Sequence, residues 1–399
     1  MPKVCFFNIA AGSGGSERSL LEILRGLKGS PYEPLLAVPV EGPLADKARL
    51  LGVPVFIHPL PALLMRLGRF AGPVDYLRAL GGALPVSYCR WWAQFLKRER
   101  VDILHTNSVK TTFLTVPIRR LRGRPRIVWH IRDVMRGRRS FFPLVDTLGR
   151  YVPDALVANS DFTAAQFSRC RSRVVRIYNG LVTEDYRPAT PAEKDEFKGR
   201  WNVPKPRRLI GMLGVLAPLK GHRVFLETAQ SILRSREDVH FFVVGDEIYD
   251  TAGHRGYRQS LEEYASKLGI ADRVTFTGFL DRVEQVIPCF DVLVQSSTEP
   301  ESFGRVVVEA QLSGVPVVAS RIGAIPEIIS NRDIGTLVTP GSVEETARGV
   351  LQYLNSDELH RQTASAAREH AVAHFSVRRV VDELSSLYDG LLRERIHCD

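Results

Sequence analysis

Two carboxylates and a lysine carry the chemistry most open to reading. Glu301 and Glu309 enclose the run Ser302-Phe303-Gly304-Arg305-Val306-Val307-Val308, and Lys220 lies upstream in Ala217-Pro218-Leu219-Lys220-Gly221. Residues 291–295 read as a buried strand that runs into Ser296, Ser297 and Thr298; the apolar run after Gly304 reads as a short helix stopping at Gly314, and residues 316–319 resume as strand. In such a unit a ligand sits where strand hands over to helix, and unpaired N–H groups at the helix start face an anion. Glu301 and Glu309 therefore bracket a phosphate-sized site. If everything between them were helical, they would be offset by about 12 Å along the axis. That suits a ligand with hydroxyls at both ends and phosphates between, such as a nucleotide sugar. Two solvated surface glutamates are the plain alternative. Lys220, just before a helix, is a point charge suited to phosphate.

A second set of candidate groups lies in the first half. Residues 4–9 form a continuous apolar run typical of a parallel strand. Ala10-Ala11-Gly12-Ser13-Gly14-Gly15-Ser16 then leads into helical apolar spacing at Leu20, Leu21, Ile23, Leu24 and Leu27. Glycines there let the backbone approach a phosphate or an acceptor closely. A dinucleotide fingerprint would look similar, but its glycine spacing and its acidic residue after the second strand are both missing, which argues against an NAD-dependent dehydrogenase. Residues 101–108 and 126–133 read as strands ending in polar side chains, and they place His130, with Arg132 and Asp133, at the ligand edge of a parallel sheet. Arg136, Arg138 and Arg139 cluster beside Phe141 and Phe142. An acceptor diphosphate, lipid headgroups or a plain solvated loop would each account for them.

The elements that must hold these groups follow from length and patterning. A chain of 399 residues with 44% hydrophobic and 25% charged residues is expected to make two domains with ample cores. Five scattered cysteines argue for a reducing compartment and against a disulfide framework or a zinc site. No signal peptide is expected, because Met1-Pro2-Lys3 leads straight into a strand, and no apolar stretch is long enough to span a bilayer. The net charge of +10 is uneven: residues 1–190 hold 29 Lys and Arg against 14 Asp and Glu. Such a basic half suits nucleic acid, an anionic membrane or an anionic substrate, and no nucleic-acid motif is present. In residues 60–100, arginines and lysines alternate with Leu, Phe, Trp91 and Trp92. Packing helices with snorkelling arginines account for that stretch, and so does an anionic membrane interface.

Glu301-Ser302-Phe303-Gly304 with Glu309, then Gly314-Val315-Pro316-Val317-Val318-Ala319 and Gly323-Ala324-Ile325-Pro326-Glu327, resembles the donor-site signature of glycosyltransferase family 4, the glycosyl transferases of group 1. The resemblance is weak over the first 100 residues and specific over 220–340. It implies an α/β chain with the GT-B fold: two Rossmann-like doubly wound parallel-sheet domains facing each other across a cleft. Residues 1–187 would be the acceptor-binding domain, 188–206 a linker, 207–374 the donor-binding domain, and 375–399 a helix crossing back to the first domain.

The implied activity is retaining transfer of a hexose-type sugar from a nucleotide-diphosphate sugar to a hydroxyl acceptor. Among the implied site residues, Lys220 grips the diphosphate together with the N–H groups of Phe303 and Gly304, Glu301 orients the hexose, and Glu309 accepts hydrogen bonds from the ribose. The turn at Gly278 meets the base, His130 lines the sugar pocket, and Gly14 and Gly15 face the reaction centre. The family usually pairs this lysine with an arginine where this chain has Val215, although members with the lysine alone are not unusual; Arg282 or Arg321 are the candidate substitutes. No metal or other cofactor is expected, since no Asp-x-Asp is present. A saccharide or lipid-linked acceptor of cell-envelope polysaccharide synthesis, and a cytoplasmic location with peripheral attachment to the inner membrane face, fit the basic first half. A sugar-nucleotide epimerase or a non-enzymatic nucleotide-sugar-binding protein of the same architecture fits the motifs too.

Overall fold

A computed structural model describes residues 1–9, 14–60, 86–121, 123–134, 142–170, 173–247 and 256–396. Contacts divide the chain into two units, residues 1–181 with 377–399, and residues 182–376. Each is built on one parallel sheet.

In the first unit, β1 (Lys3–Phe7), β2 (Glu33–Val38), β3 (Val55–Ile57), β4 (Val101–Thr106), β5 (Arg126–Ile131), β6 (Ala155–Ala158) and β7 (Val174–Arg176) lie in the order β3-β2-β1-β4-β5-β6-β7. Alternate side chains feed two cores. Phe7, Leu104 and Trp129 pack on one face with Trp92 and Phe95, whereas Phe6, Ile103 and Val128 pack on the other with Leu20, Leu24, Leu384 and Tyr388. A parallel sheet covered on both faces needs such continuous apolar strands. The helix Val377–Ile396 covers the second face, with Val380, Val381, Leu384, Tyr388 and Leu391 buried at helical spacing. The described part of residues 60–100 includes the helix Val86–Glu99, whose Tyr88, Trp92, Phe95 and Leu96 turn into the core. No helix among the described residues is long and apolar enough to cross a membrane.

In the second unit, β8 (Arg208–Leu213), β9 (Val239–Val244), β10 (Val274–Gly278), β11 (Val292–Gln295), β12 (Val317–Ser320) and β13 (Thr336–Val338) take the order β10-β9-β8-β11-β12-β13. All six residues of β9 are buried.

Two sequence expectations need correcting here. Residues 188–206 are more than a linker, because they contain the helix Pro191–Arg200, capped by Thr190 and Glu193. Its prolines misled because Pro191 occupies the first helical position, where no N–H is required; Phe197 then buries itself 5.1 Å from the Phe242 ring. The helix after Gly304 begins only at Arg305. Glu301 therefore stands in the loop, and the offset expected of an unbroken helix does not apply.

Candidate functional site

Each sheet reverses its winding at one point, between β8 and β11 in the second unit and between β1 and β4 in the first. Ligands of open parallel sheets bind beyond the strand ends at such points.

In the second unit the loop after β8 and the loop after β11 are stitched together by hydrogen bonds to backbone carbonyls. The Thr298 amide donates to the Leu219 carbonyl at 2.9 Å, and Ser296 Oγ donates to the Gly221 carbonyl at 3.0 Å. Gly221 takes φ +74°, and a Cβ there would lie 1.8 Å from the Ser296 carbonyl oxygen, so no other residue fits. The stitching carries Lys220 Nζ to 2.5 Å from Glu301 Oε1. Ser297 Oγ donates to the same oxygen at 2.7 Å, and Gln295 Nε2 at 3.4 Å. Burial pushes the Glu301 carboxyl up, but the charge and hydrogen bond of Lys220, with Ser297 and Gln295, outweigh it and leave the group below the usual range. Sequence reasoning named both members of this ion pair and missed Gln295 and Ser297, whose signal was position at the end of β11.

Just beyond, Gly304 caps the helix Arg305–Leu312 at φ +110°, where a Cβ would meet Ile325 Cδ1 at 2.4 Å. Phe303 is buried with its ring 5.6 Å from Phe375, so its side chain belongs to the core. Glu309 is 5% exposed and pairs with Arg305 at 3.0 Å, one helical turn back. A ribose would therefore have to displace that pair, whose signal in the sequence is the i, i+4 spacing. Gly278 ends β10 at φ +73°, and its carbonyl accepts from the Gly245 amide at 3.0 Å. Arg282 is exposed, pairs with Glu284 at 3.3 Å, and lines a different cavity of about 780 Å³ with Arg187 and Arg200.

In the first unit, Gly14 caps the helix Gly15–Gly26 in extended conformation. Asn8 follows β1 and Asn107 follows β4, and Asn107 Nδ2 donates to Asn8 Oδ1 and to the Ser16 carbonyl, both at 3.3 Å. Arg132 is 8% exposed; it donates from Nε to Asn107 Oδ1 at 2.9 Å and from Nη1 to Asn179 Oδ1. An exposed cation offered to an acceptor is thus not what the structure holds, because neighbouring amides draw the guanidinium inward. Arg136 and Arg138 lie outside the described residues. His130 is wholly buried; its Nδ1 lies 3.0 Å from His105 Nε2 and 3.4 Å from Arg132 Nη2. His105 Nδ1 in turn meets the Tyr388 hydroxyl at 2.6 Å. Neither His105 nor Tyr388 was singled out from sequence, since nothing local ties residue 105 to residue 388. Among the described residues, no three His, Cys, Asp or Glu side chains converge as a metal site would need.

Comparison with known proteins places these features in a family. The model of the glycosyl transferases group 1 matches residues 193–370, and that of glycosyltransferase family 4 matches residues 13–185. A 2-deoxystreptamine glucosyltransferase of Streptomyces kanamyceticus is 30% identical over 241 residues, 60% of this chain and 58% of the relative. The lipopolysaccharide core biosynthesis mannosyltransferase LpsB of Rhizobium meliloti is 25% identical over 60% of this chain and 66% of its own. The chain thus aligns with roughly three-fifths of the length of such curated relatives. The crystal structure of Anabaena Alr3699/HepE in complex with UDP and glucose superposes with a TM-score of 0.82 at 22% identity, covering 98% of this chain and 100% of that one.

Proposed function

The chain belongs to the group 1 glycosyltransferases of family 4 and has the GT-B fold, and on that premise we propose that it transfers a sugar from a nucleoside-diphosphate sugar to a hydroxyl acceptor. The observation that carries the reading is the Lys220–Glu301 pair, held at 2.5 Å at the winding reversal of the second sheet beside a helix N-terminus. An ammonium has three N–H donors, and Glu301 engages one. The others, with the N–H groups of Phe303 and Gly304, stabilise negative charge on the departing diphosphate. These donors supply that stabilisation without a metal. The hydrogen bonds on Glu301 fall on Oε1, leaving Oε2 to orient the hexose. Glu309 takes the ribose hydroxyls by exchanging its bond to Arg305 for them. Loop 278–280 meets the base; in the first unit, Gly14 and Gly15 at the start of the helix Gly15–Gly26 and the Nε2 of His130 are offered to sugar or acceptor oxygens.

The anomeric carbon–oxygen bond to the diphosphate breaks while the acceptor oxygen attacks from the same face. The acceptor proton passes to the leaving phosphate oxygen, so configuration is retained and no enzyme nucleophile is needed. The UDP and glucose bound by the Anabaena protein make UDP-sugars the first donors to try. The names of the two curated relatives span a small aminocyclitol and a lipopolysaccharide core; the basic first half favours a saccharide or lipid-linked intermediate of the cell envelope, reached from the cytoplasmic side of the membrane.

Calorimetric titration with UDP, GDP, ADP and their sugar conjugates, with and without a chelator, tests the reading. Selective binding that survives chelation and is lost in Lys220→Ala supports it, and a folded protein that binds none of them sinks it. Val215 and the outward placement of Arg282 favour one rival, a nucleotide-sugar-binding protein that does not turn over. That rival would bind donor yet release no nucleotide with any acceptor.

A further inference from the structure

The buried chain Tyr388–His105–His130–Arg132 determines where every proton in it sits. Arg132 can only donate, so the His130 Nδ1 that its Nη2 approaches at 3.4 Å must be the acceptor. His105 Nε2, 3.0 Å from that same Nδ1, must then carry a proton. Both rings are fully buried. Burial, with the Arg132 charge beside it, holds His105 down to about 3, and burial, Arg132 and His105 hold His130 well below its ordinary value, so each is neutral and has one ring proton. His105 Nδ1 is therefore an acceptor, and the Tyr388 hydroxyl at 2.6 Å donates to it; burial keeps that phenol protonated. His130, with Nδ1 bare, must carry its proton on Nε2. That atom is buried and has no hydrogen-bond partner, a costly state for a donor.

We infer that Tyr388, on the helix Val377–Ile396, is a positioning residue. Acting through His105, and with Arg132 at the other end of the chain, it holds His130 as a neutral hydrogen-bond donor whose Nε2–H is reserved for a ligand oxygen. The inference rests on the reading that His130 meets a sugar. It goes further in assigning the proton, in excluding acid–base work by His130 at neutral pH, and in giving the last helix a part in the chemistry. The same face of the sheet makes this possible: His105 pairs with Val128 and His130 with Val157, so the two rings stand on adjacent strands above the core that holds Tyr388.

The test is long-range proton–nitrogen correlation NMR on protein labelled with ¹⁵N-histidine, read first on the wild type, so that it does not depend on a variant folding. Neutral Nε2–H tautomers for both His105 and His130 between about pH 5 and 8 are expected. A proton on Nδ1 of either ring, or a charged ring, overturns the assignment. In Tyr388→Phe, an Nδ1–H population appears at His105, the His130 signals shift, and kcat/KM for the donor falls about tenfold, the worth of roughly one hydrogen bond. Unchanged ring signals, or altered tautomers with unchanged kcat/KM, overturn the role of Tyr388. Tautomers as assigned in a protein that binds no nucleotide sugar leave the proton relay standing and refute the transferase reading instead.

Discussion

The two sheets end in sites of opposite character. Beyond β8 and β11 the groups are charged and partly open to water: the side chains of Lys220 and Glu301 are 24% and 18% exposed. Beyond β1, β4 and β5 the groups are mostly neutral and sealed, with Asn8, His105, Asn107 and His130 all at or near zero exposure. The same winding produces both. What differs is how each keeps its polar groups satisfied while waiting for a ligand: the second sheet pairs opposite charges, and the first fixes proton positions by hydrogen bonds beside the buried guanidinium of Arg132. A charged site of the first kind suits a diphosphate, and a site of fixed neutral donors suits hydroxyls and ether oxygens, which are told apart by direction rather than charge.

The contrast can be broken or sharpened by experiment. Lys220→Ala should show the largest effect, a loss of about 100-fold or more in kcat, with the fold retained by circular dichroism; turnover near wild type would remove the charged site from the chemistry. Glu309→Ala should weaken nucleoside-diphosphate affinity about tenfold, by calorimetry; unchanged affinity would mean that the Arg305 pair persists in the complex. Gly221→Ala, which must displace the Ser296 carbonyl, should cost about 3 kcal/mol by denaturant melts and release Lys220 from Glu301.

Acid should then separate the sites. His105 and His130 are held below their ordinary values, so below pH about 6.5 the unfolded chain binds protons that the folded one refuses. Stability is therefore full above that pH and falls by about 1.4 kcal/mol per pH unit for each ring on acidification. Glu301 is held below the carboxylate range, so from about pH 6.5 down to about 5 it keeps its charge, and affinity for a nucleoside-diphosphate sugar, which has no terminal phosphate to titrate, should be flat there when measured in the folded state. A parallel fall in affinity would deny the difference between the two sites. The smallest effect belongs to Arg282→Ala: donor affinity within about twofold, consistent with an exposed pair worth well under 1 kcal/mol.

Chemistry that needs only local order was legible in the sequence. The strand, loop and helix around Glu301 can be read because a buried parallel strand is a continuous apolar run and a helix start needs unpaired N–H groups. The alternate apolar faces of residues 377–396 likewise fix a helix that must be buried on one side. Even the capture of Glu309 by Arg305 was written in an i, i+4 spacing. The glycines at 221 and 304 were visible as residues, but not the carbonyl and the isoleucine that exclude a side chain there. The helix Pro191–Arg200 was misread, since polar residues and prolines look alike in a linker and in a first helical turn.

The amino-acid sequence by itself marked the buried strands and the handovers from strand to helix at which ligands bind, while the strand order that winds them is a property of the folded sheets. Only the tertiary structure decided which polar groups meet at those ends. Lys220 reaches Glu301 across 81 residues, and Tyr388 reaches His105 across 283. Secondary structure follows from interactions within a few residues, whereas the protonation and charge of a buried group depend on neighbours that the chain brings together only when it packs.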